Sequence, residues 1–226
     1  MSSVPYRALW RQAGLRTCLA YLRENHLFDV LRRVDTRGWT GRMEYPGGLA
    51  DDADTKISMP VWTSTMRRSL RWALHQGAWP STFVDIGCGQ GKALLVAHEV
   101  FGRRRFRGRP PVAVIGVEHH PGLAVVAERN LWRRTGSLGD VRVADARSVA
   151  WDDLAEPVIA FLYNPFTGPV LAEVAQRLSQ RACTVVYVNP VEPQAFTEQG
   201  FRIVHHQMGW HPVASWMVLS ATRAGP

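Results

Sequence analysis

The residues best suited to chemistry lie in a glycine-rich segment, residues 83–92, with the sequence FVDIGCGQGK. An apolar run ends in glycines at alternate positions, Gly87, Gly89 and Gly91, and a helical pattern begins at once. Glycine allows a sharp turn and a close approach of a ligand to the backbone. The helix that follows offers unpaired N–H groups and a positive dipole end. This pattern predicts a ligand-binding loop, to which Asp85 adds a carboxylate.

The spacing of the glycines separates this loop from two nucleotide-binding loops. The dinucleotide fingerprint of Rossmann domains is Gly-x-Gly-x-x-Gly, whereas Gly91 comes one residue earlier than that fingerprint requires. A Walker loop needs Gly-Lys followed by Ser or Thr, whereas Lys92 is followed by Ala93. The loop therefore serves a different kind of ligand.

Further polar residues follow the apolar runs of an alternating strand and helix pattern. Glu118 ends the run VAVIGV, Asp145 follows VRVA, and Asn164 follows AFLY. Continuous apolar strands that alternate with helices predict a parallel sheet covered on both faces. Ligands of such sheets lie at the carboxyl ends of the strands. We therefore expect these side chains at one edge of the sheet.

The stretch DIGCGQG, residues 85–91, closely resembles motif I of the class I S-adenosylmethionine-dependent methyltransferases, and the resemblance extends over residues 82–220. It implies that Glu118 holds the ribose hydroxyls of the cofactor, since a carboxylate can accept two hydrogen bonds from a cis-diol. It also implies that Asp145 meets the adenine amine and that Asp85 faces the methionine ammonium. The cofactor-binding set that we expect is Asp85, Gly87, Gly89, Gly91, Glu118, His119, Asp145 and Asn164.

The fourth apolar run ends in Tyr163-Asn164-Pro165-Phe166. This tetrapeptide is similar to the Asn-Pro-Pro-Tyr signature of amino methyltransferases that act on adenine or glutamine amides, but it has a single proline. Asn164 could accept hydrogen bonds from an NH₂ group, and Phe166 could stack on a flat substrate. We expect Asn164, Tyr163 and His119 to be the catalytic residues. The alternative is a turn in which Asn164 and Pro165 only shape the backbone.

The remaining pattern indicates two parts, an N-terminal helical cap or lid over residues 1–80 and a cofactor-binding core over residues 81–226. Helical spacing covers residues 5–33 and 60–77, and the turn-rich stretch 36–57 separates them. We therefore expect an α/β, Rossmann-like fold: a mostly parallel sheet with helices on both faces and an N-terminal cap. The resemblance implies seven strands, the last antiparallel. The lid residues that we expect to contact substrate are Tyr45, Trp62 and Thr63.

Composition restricts the partners. The net charge of +8 comes from 25 arginines and two lysines, against 19 acids, which favours anionic partners only weakly. The arginine-rich residues 102–111 join the first core helix to the second strand, and so are expected opposite the cofactor edge. Nucleic acid is therefore not the favoured substrate. Nothing in the sequence indicates an oligomeric state.

The sequence also bears on location and on metals. No apolar stretch is long enough for a membrane span, and the start lacks the pattern of a secretory signal. We therefore expect a cytoplasmic protein without membrane contact. Cys18, Cys88 and Cys183 are too widely spaced for a disulfide framework or a metal site.

The favoured function is transfer of a methyl group from S-adenosylmethionine to a nitrogen or oxygen of a small molecule or peptide, as in natural-product tailoring, with S-adenosylhomocysteine as the product. Three alternatives remain open. The first is methylation of a nucleic acid or protein. The second is a different use of the same cofactor, by cyclisation or aminoalkyl transfer. The third is a non-catalytic, cofactor-binding scaffold.

Overall fold

A computed structural model describes residues 6–37, 60–103 and 106–221. Its centre is a seven-stranded sheet with the order β3-β2-β1-β4-β5-β7-β6. The strands are β1 (Thr82–Ile86), β2 (Ala113–Glu118), β3 (Asp140–Val143), β4 (Val158–Tyr163), β5 (Cys183–Val188), β6 (Phe201–Gln207) and β7 (Trp216–Ala221). β7 runs antiparallel to both β5 and β6, and the other pairings are parallel. The predicted mostly parallel sheet with an antiparallel last strand is confirmed.

Helices cover both faces of this sheet, as predicted. The N-terminal segment forms α1 (Tyr6–Tyr21), a π-helix (Leu22–His26) and α2 (Leu27–Arg32), which are contiguous in the sequence. α1 has a kink at Gly14, whose φ is 79°. The remaining helices are α3 (Thr63–Gln76), α4 (Lys92–Phe101), α5 (Pro121–Thr135), α6 (Gly168–Ser179) and α7 (Gln194–Thr197). None of the helices in the described ranges is long and apolar enough to cross a bilayer.

The central strands form because their side chains are apolar on both faces. All of β1 is buried, and nearly all of β4 and β5, as expected for a parallel sheet covered on both sides. One core contains side chains of β1, β4 and β5 together with α6 and α7. The other contains the opposite side chains of these strands together with α3, α4 and α5. The sheet therefore separates two hydrophobic cores, one on each of its faces.

α3 belongs to the second core, although the sequence placed it in the cap. Met66, Leu70 and Ala73 are buried in the cluster that also contains Phe83 of β1 and Phe161 of β4. The helices α1 and α2 and the π-helix precede it, and residues 38–59, with Tyr45, lie outside the described residues. α3 thus shares a core with the sheet on the other side of the predicted boundary at residue 80. The boundary itself stays a prediction.

The strands β2 and β3 are added on one side of β1, and β4 and the later strands on its other side. β1 pairs with β2 on one side and with β4 on the other. Ile86 lies opposite Val117 in one pair and opposite Leu162 in the other. The loop after β1 therefore begins between the ends of β2 and β4, and such a switch point opens a ligand crevice at the carboxyl edge.

The arginine-rich loop between α4 and β2 lies at the opposite edge. Ala113, the first residue of β2, pairs with Thr82, the first residue of β1. Trp79 packs against Phe106 with ring centroids 4.9 Å apart, and its indole N–H donates to the Pro110 carbonyl at 3.0 Å. The described part of the loop is therefore attached to the amino edge, far from the crevice.

The membership of α3 in the core leads to a first prediction. Leu70→Ala should lower the free energy of unfolding by about 2–4 kcal/mol, because it leaves a cavity in a packed core. Leu70 is 0% exposed, whereas Leu31 on α2 is 76% exposed, so Leu31→Ala is the matched control and should change little. Urea titration of both variants measures the difference. An unchanged value for Leu70→Ala would mean that α3 is a detachable lid.

Candidate functional site

The glycine loop owes its shape to backbone conformations that only glycine adopts easily. Gly87, Gly89 and Gly91 all have positive φ, at 77°, 54° and 80°, in the region that disfavours side chains. The N–H groups of Gly87 and Cys88 both donate to the Val117 carbonyl, at 2.8 and 3.0 Å. The loop is thus fastened to the end of β2, and Gly91 leads directly into α4.

The turn after β4 packs against this loop. A Cβ atom placed on Gly87 would collide with the side chain of Pro165, so the two segments touch. Asn164, just before Pro165, has a positive φ of 47°. That conformation is uncommon outside glycine, but asparagine adopts it more readily than most residues. The glycine loop after β1 and the turn after β4 are therefore in contact at the carboxyl edge of the sheet.

Glu118 connects the end of β2 to the glycine loop. One carboxylate oxygen accepts from the Gly89 N–H and the other from the His120 N–H, both at 2.8 Å. Burial raises the pKa of Glu118, and these two hydrogen bonds oppose that effect. Each oxygen still has a lone pair for a second donor. The arrangement fits a ligand with two hydroxyl groups, such as the ribose that the family resemblance implies.

Asp85 provides a second buried carboxyl beside the first. It lines a narrow cavity together with Gly87, Gly89 and Tyr163. Burial, and then the neighbouring charge of Glu118, hold the pKa of Asp85 well above its usual range. A cation bound between the two acids would favour their ionised forms. The residues therefore fit a ligand that carries both a diol and positive charge, such as S-adenosylmethionine.

Lys92 is one of the site residues that the sequence analysis did not select. It is 4% exposed at the start of α4, it lines the same cavity, and its Nζ donates to the Glu24 carbonyl at 2.7 Å and to the Asn25 side-chain oxygen. Burial lowers the pKa of Lys92 to about 7, although Asp29 and Glu24 oppose that shift. The sequence contained a signal for this contact, since Lys92 stands at the start of a helix, where the helix dipole is positive. A buried lysine there needs oxygen partners from another part of the chain.

The π-helix supplies those partners. π-Helices are rare and often mark functional sites, and this one buries Glu24 and Asn25. The Glu24 carboxylate accepts from the Ser64 N–H at 2.9 Å, and the Thr63 hydroxyl donates to the Glu24 carbonyl at 3.1 Å. Thr63, expected as a lid residue, therefore joins the π-helix to the start of α3.

Asn130 is a second residue that the sequence analysis missed. Its amide nitrogen donates to the carbonyls of Asp35 and Gln90, at 2.7 and 3.0 Å. Its amide oxygen accepts from the Asp35 N–H at 3.0 Å. This buried side chain on α5 therefore binds the segment after α2 to the glycine loop.

Tyr163 lies at the end of β4 and lines the cavity. Burial and the neighbouring Tyr21 raise the pKa of Tyr163, so the phenol stays protonated at neutral pH. A protonated phenol donates a hydrogen bond and does not act as a general base. Tyr21, at the end of α1, is thus a neighbour of the cavity that the sequence analysis did not select.

The other predicted cofactor and base residues lie around this centre. His119 is exposed next to Glu118. The ring Nδ1 of His120 accepts from the Leu123 N–H at 3.3 Å and caps α5. Asp145 follows β3 and forms an ion pair with Arg147 at 2.6 Å, which lowers the pKa of Asp145. The predicted adenine contact of Asp145 would have to compete with this pair.

Two expected substrate contacts lie in packed surroundings. Phe166 is 7% exposed and belongs to the core around Leu162 and Val170. The ring packs on the α6 side of the core, and its stacking on a substrate stays a prediction. Trp62 stacks on His211 with centroids 4.9 Å apart and lies 5.4 Å from Trp210. Trp62 thus joins the start of α3 to the loop before β7.

Comparisons with known proteins identify the fold that carries this site. No family model matches the chain, and no curated protein matches it. A predicted N6-adenine-specific DNA methylase from Listeria monocytogenes superposes with a TM-score of 0.53 and 13% identity, over 71% of this chain and 51% of that chain. The precorrin-6y C5,15-methyltransferase from Geobacter metallireducens gives 0.50 and 15%, over 78% and 98%. The chain has the class I methyltransferase fold.

A third structure with the same fold bears on the cofactor. A mutant of MtNAS in complex with S-adenosylmethionine superposes with a TM-score of 0.50 and 16% identity, over 70% of this chain and 62% of that chain. The class I methyltransferase fold thus includes proteins named for different substrates. The likeness therefore shows the fold and leaves the acceptor to be argued from the site.

The buried lysine leads to a second prediction. Because the pKa of Lys92 is lowered to about 7 in the folded protein, the unfolded chain holds a proton between about pH 7 and 10 that the folded chain has released. The free energy of unfolding of the wild type should therefore rise over this range relative to Lys92→Met, by about 1–3 kcal/mol. Denaturant titrations at several pH values measure this rise.

The control for this prediction is Arg129→Met, which removes an exposed cation from α5. Its stability should follow that of the wild type across the pH range. Parallel curves for the wild type and Lys92→Met would contradict the titration of a buried lysine.

Proposed function

We propose that this protein is an S-adenosylmethionine-dependent methyltransferase that acts on a nitrogen or oxygen of a small molecule or peptide. The observation that carries the proposal is the Glu118 carboxylate, bound to the Gly89 N–H at 2.8 Å. The charge of Glu118 acts on the buried carboxyl of Asp85 on the neighbouring strand β1. A diol-binding acid next to a glycine loop and a second acid match the ribose and the positive charge of that cofactor.

The chain's own residues would hold the cofactor as follows. Glu118 accepts from the ribose hydroxyls, Asp85 faces the ammonium, and the backbone of Gly87 and Gly89 lets the ligand lie close to the loop. The sulfonium supplies an already activated methyl group. Alignment of the acceptor is then the main contribution of the protein to the rate.

The acceptor would lie beside the turn after β4. Asn164 offers both an amide oxygen and an amide N–H₂, and Tyr163 offers a phenol that stays protonated. These groups orient an acceptor by hydrogen bonds. A base for the acceptor's proton is needed only where the acceptor is protonated or weakly acidic. Asn164 and Tyr163 act as hydrogen-bonding groups and not as that base.

A small acceptor suits the architecture. Between β5 and β6 the chain contains only the four-residue helix α7, so no domain for a large substrate is inserted there. The described part of the arginine-rich loop lies at the amino edge, where Ala113 pairs with Thr82. Positive charge at that edge is remote from the cavity, which favours a small molecule or a peptide over a nucleic acid. Natural-product tailoring is the kind of reaction we propose.

Cofactor binding gives the third prediction. Glu118→Gln should weaken S-adenosylmethionine binding about tenfold or more, because a charged acceptor of two hydrogen bonds is lost. Glu198→Gln, at an exposed acid after α7, is the control and should bind normally. Calorimetric titration compares them. Unchanged affinity for Glu118→Gln would overturn the proposal, and methylthioadenosine as the product in place of S-adenosylhomocysteine would indicate the cyclisation or aminoalkyl-transfer alternative.

Acceptor alignment gives the fourth prediction. Asn164→Gly keeps the positive φ that this turn requires and removes only the amide. The variant should bind S-adenosylmethionine within a few-fold of the wild type, but it should transfer the methyl group on the order of 100-fold more slowly. Single-turnover formation of S-adenosylhomocysteine, with an acceptor that the wild type methylates, measures the rate.

Asn164→Asp separates the two classes of acceptor. A carboxylate still accepts from an NH₂ group, so activity on an amine or amide should partly survive. An oxygen held by the Asn164 amide N–H₂ would be repelled, and activity on it should vanish. A normal rate for Asn164→Gly would instead assign Asn164 to the turn alone.

A further inference from the structure

The N-terminal helices carry a row of exposed apolar side chains, which we call the apolar stripe. The exposed fraction of these side chains runs from 37% at Leu22 to 76% at Leu31. A continuous exposed apolar surface on a folded protein commonly marks an interaction site. The members of the apolar stripe are Leu15, Leu19, Leu22, Leu27, Val30 and Leu31.

The π-helix brings the two halves of the apolar stripe into line. Leu15, Leu19 and Leu22 are four and three positions apart, which is the spacing of one helical face. The Leu27 N–H donates to the Leu22 carbonyl, five residues back. This wider turn places Leu27 next to Leu22 on the same face, and Leu31 follows one turn later. In a regular α-helix, Leu27 would instead be turned about 140° from Leu22.

The opposite side of the same helices is buried against the protein. Thr17, Glu24 and Phe28, seven and four positions apart, are all buried. Phe28 belongs to the core that α3 and α4 share with the sheet, and the Glu24 carbonyl accepts from Lys92 Nζ at 2.7 Å. These contacts fix the rotation of the helices, and the apolar stripe therefore faces outwards.

The exposed charge on these helices has a single sign. Glu24 and Asp29, the two acids within residues 6–33, are both buried. The exposed charged side chains of this range are all arginines, and the exposed Trp10 lies between two of them in the sequence. These arginines are Arg7, Arg11, Arg16, Arg23 and Arg33. The outer surface of the N-terminal helices therefore combines apolar side chains with positive charge.

This charge disfavours a second copy of the chain as the partner. Arg16 and Arg23 each adjoin a residue of the apolar stripe in the sequence. Two copies that met stripe to stripe would bring these arginines towards each other, and residues 6–33 offer no exposed acid to pair with them. Like charges brought together across an interface weaken binding.

An anionic bilayer matches both properties of the surface. Helices that lie in a bilayer interface place leucine and tryptophan side chains among the lipids and arginines at the headgroups. Such a helix needs one apolar face and no membrane span. From Leu15 to Leu31 the helices extend over about 24 Å at 1.5 Å per residue, which is long enough to contact several lipids at once.

We propose that the apolar stripe is a docking surface for an anionic lipid bilayer. The helices lie along the bilayer surface, the stripe enters the boundary between headgroups and acyl chains, and the arginines bind the anionic headgroups. Trp10 lies at headgroup level, where tryptophan is favoured. The opposite side of the same helices holds Lys92 at the cavity, so docking and the cavity use different residues. The inference does not depend on the proposed methyltransferase function.

Sedimentation of the full chain with lipid vesicles tests this proposal. Vesicles of phosphatidylcholine alone are compared with vesicles that also contain phosphatidylglycerol. The wild type should bind the anionic vesicles about tenfold or more tightly than the neutral ones, since each arginine near the surface contributes about fivefold. Raising the salt concentration from about 0.1 M to about 0.5 M should remove most of this preference, because salt screens the charges.

Variants of the apolar stripe test its contact with lipid. The double variant Leu19→Gln/Leu31→Gln should bind the anionic vesicles about tenfold or more weakly, because two apolar side chains no longer enter the bilayer. Both positions are exposed and glutamine favours helix, so the circular dichroism spectrum and the melting temperature should stay as in the wild type. Val125→Gln, at an exposed position of α5, is the matched control and should bind normally.

Variants of one arginine test the contribution of charge. Arg11→Gln should weaken binding to the anionic vesicles about fivefold, whereas Arg11→Lys should keep it, because lysine retains the positive charge. Arg177→Gln is the control, because this exposed arginine lies on α6, which packs on the other face of the sheet. It should bind as the wild type does.

The contrary outcomes are distinct. Failure to bind anionic vesicles, equal binding to neutral and anionic vesicles, or undiminished binding by Leu19→Gln/Leu31→Gln overturns the proposal. Sedimentation velocity without lipid tests the second copy: a wild-type dimer that the double variant loses would assign the stripe to self-association and also overturn the proposal. The affinity for S-adenosylmethionine, which tests the proposed function, is measured separately and should be the same in all these variants.

Discussion

The burial of Lys92 is the constraint on which the arrangement of the site depends. An ammonium group at the positive end of α4 is stable without water only where oxygen atoms surround it. The π-helix provides these from the Glu24 carbonyl and the Asn25 side chain. The N-terminal helices must therefore dock on the start of α4 for Lys92 to stay buried, which joins them to the carboxyl edge of the sheet.

The buried acids give the same edge its affinity for positive charge. Asp85 and Glu118 each have a raised pKa, and the charge of Glu118 contributes to the shift of Asp85. Burial disfavours the ionised form of each carboxyl, and a cation bound beside them would favour ionisation. Under the proposed function, the positive charge of S-adenosylmethionine has that role.

The division between cofactor and acceptor follows from the sheet. Under the proposed function, the cofactor contacts the glycine loop and the end of β2, which are joined by backbone hydrogen bonds to the Val117 carbonyl. The acceptor then lies beside the turn after β4, and the Gly168–Glu192 hydrogen bond joins the start of α6 to the segment after β5. Turns of this kind change substrate preference without disturbing the sheet. Under the proposed function, specificity is therefore expected to depend on Asn164, and cofactor affinity on Glu118.

Local sequence determined the strands, the glycine loop and the strand-end position of Glu118, because burial pattern and positive φ are properties of a few consecutive residues. Tertiary structure alone decided the partners of Lys92, since 67 positions separate it from Asn25. It also decided that α3 lies in the core with the sheet and that the Phe166 ring packs on the α6 side of the sheet. These outcomes depend on strand order and helix docking, which no short segment encodes.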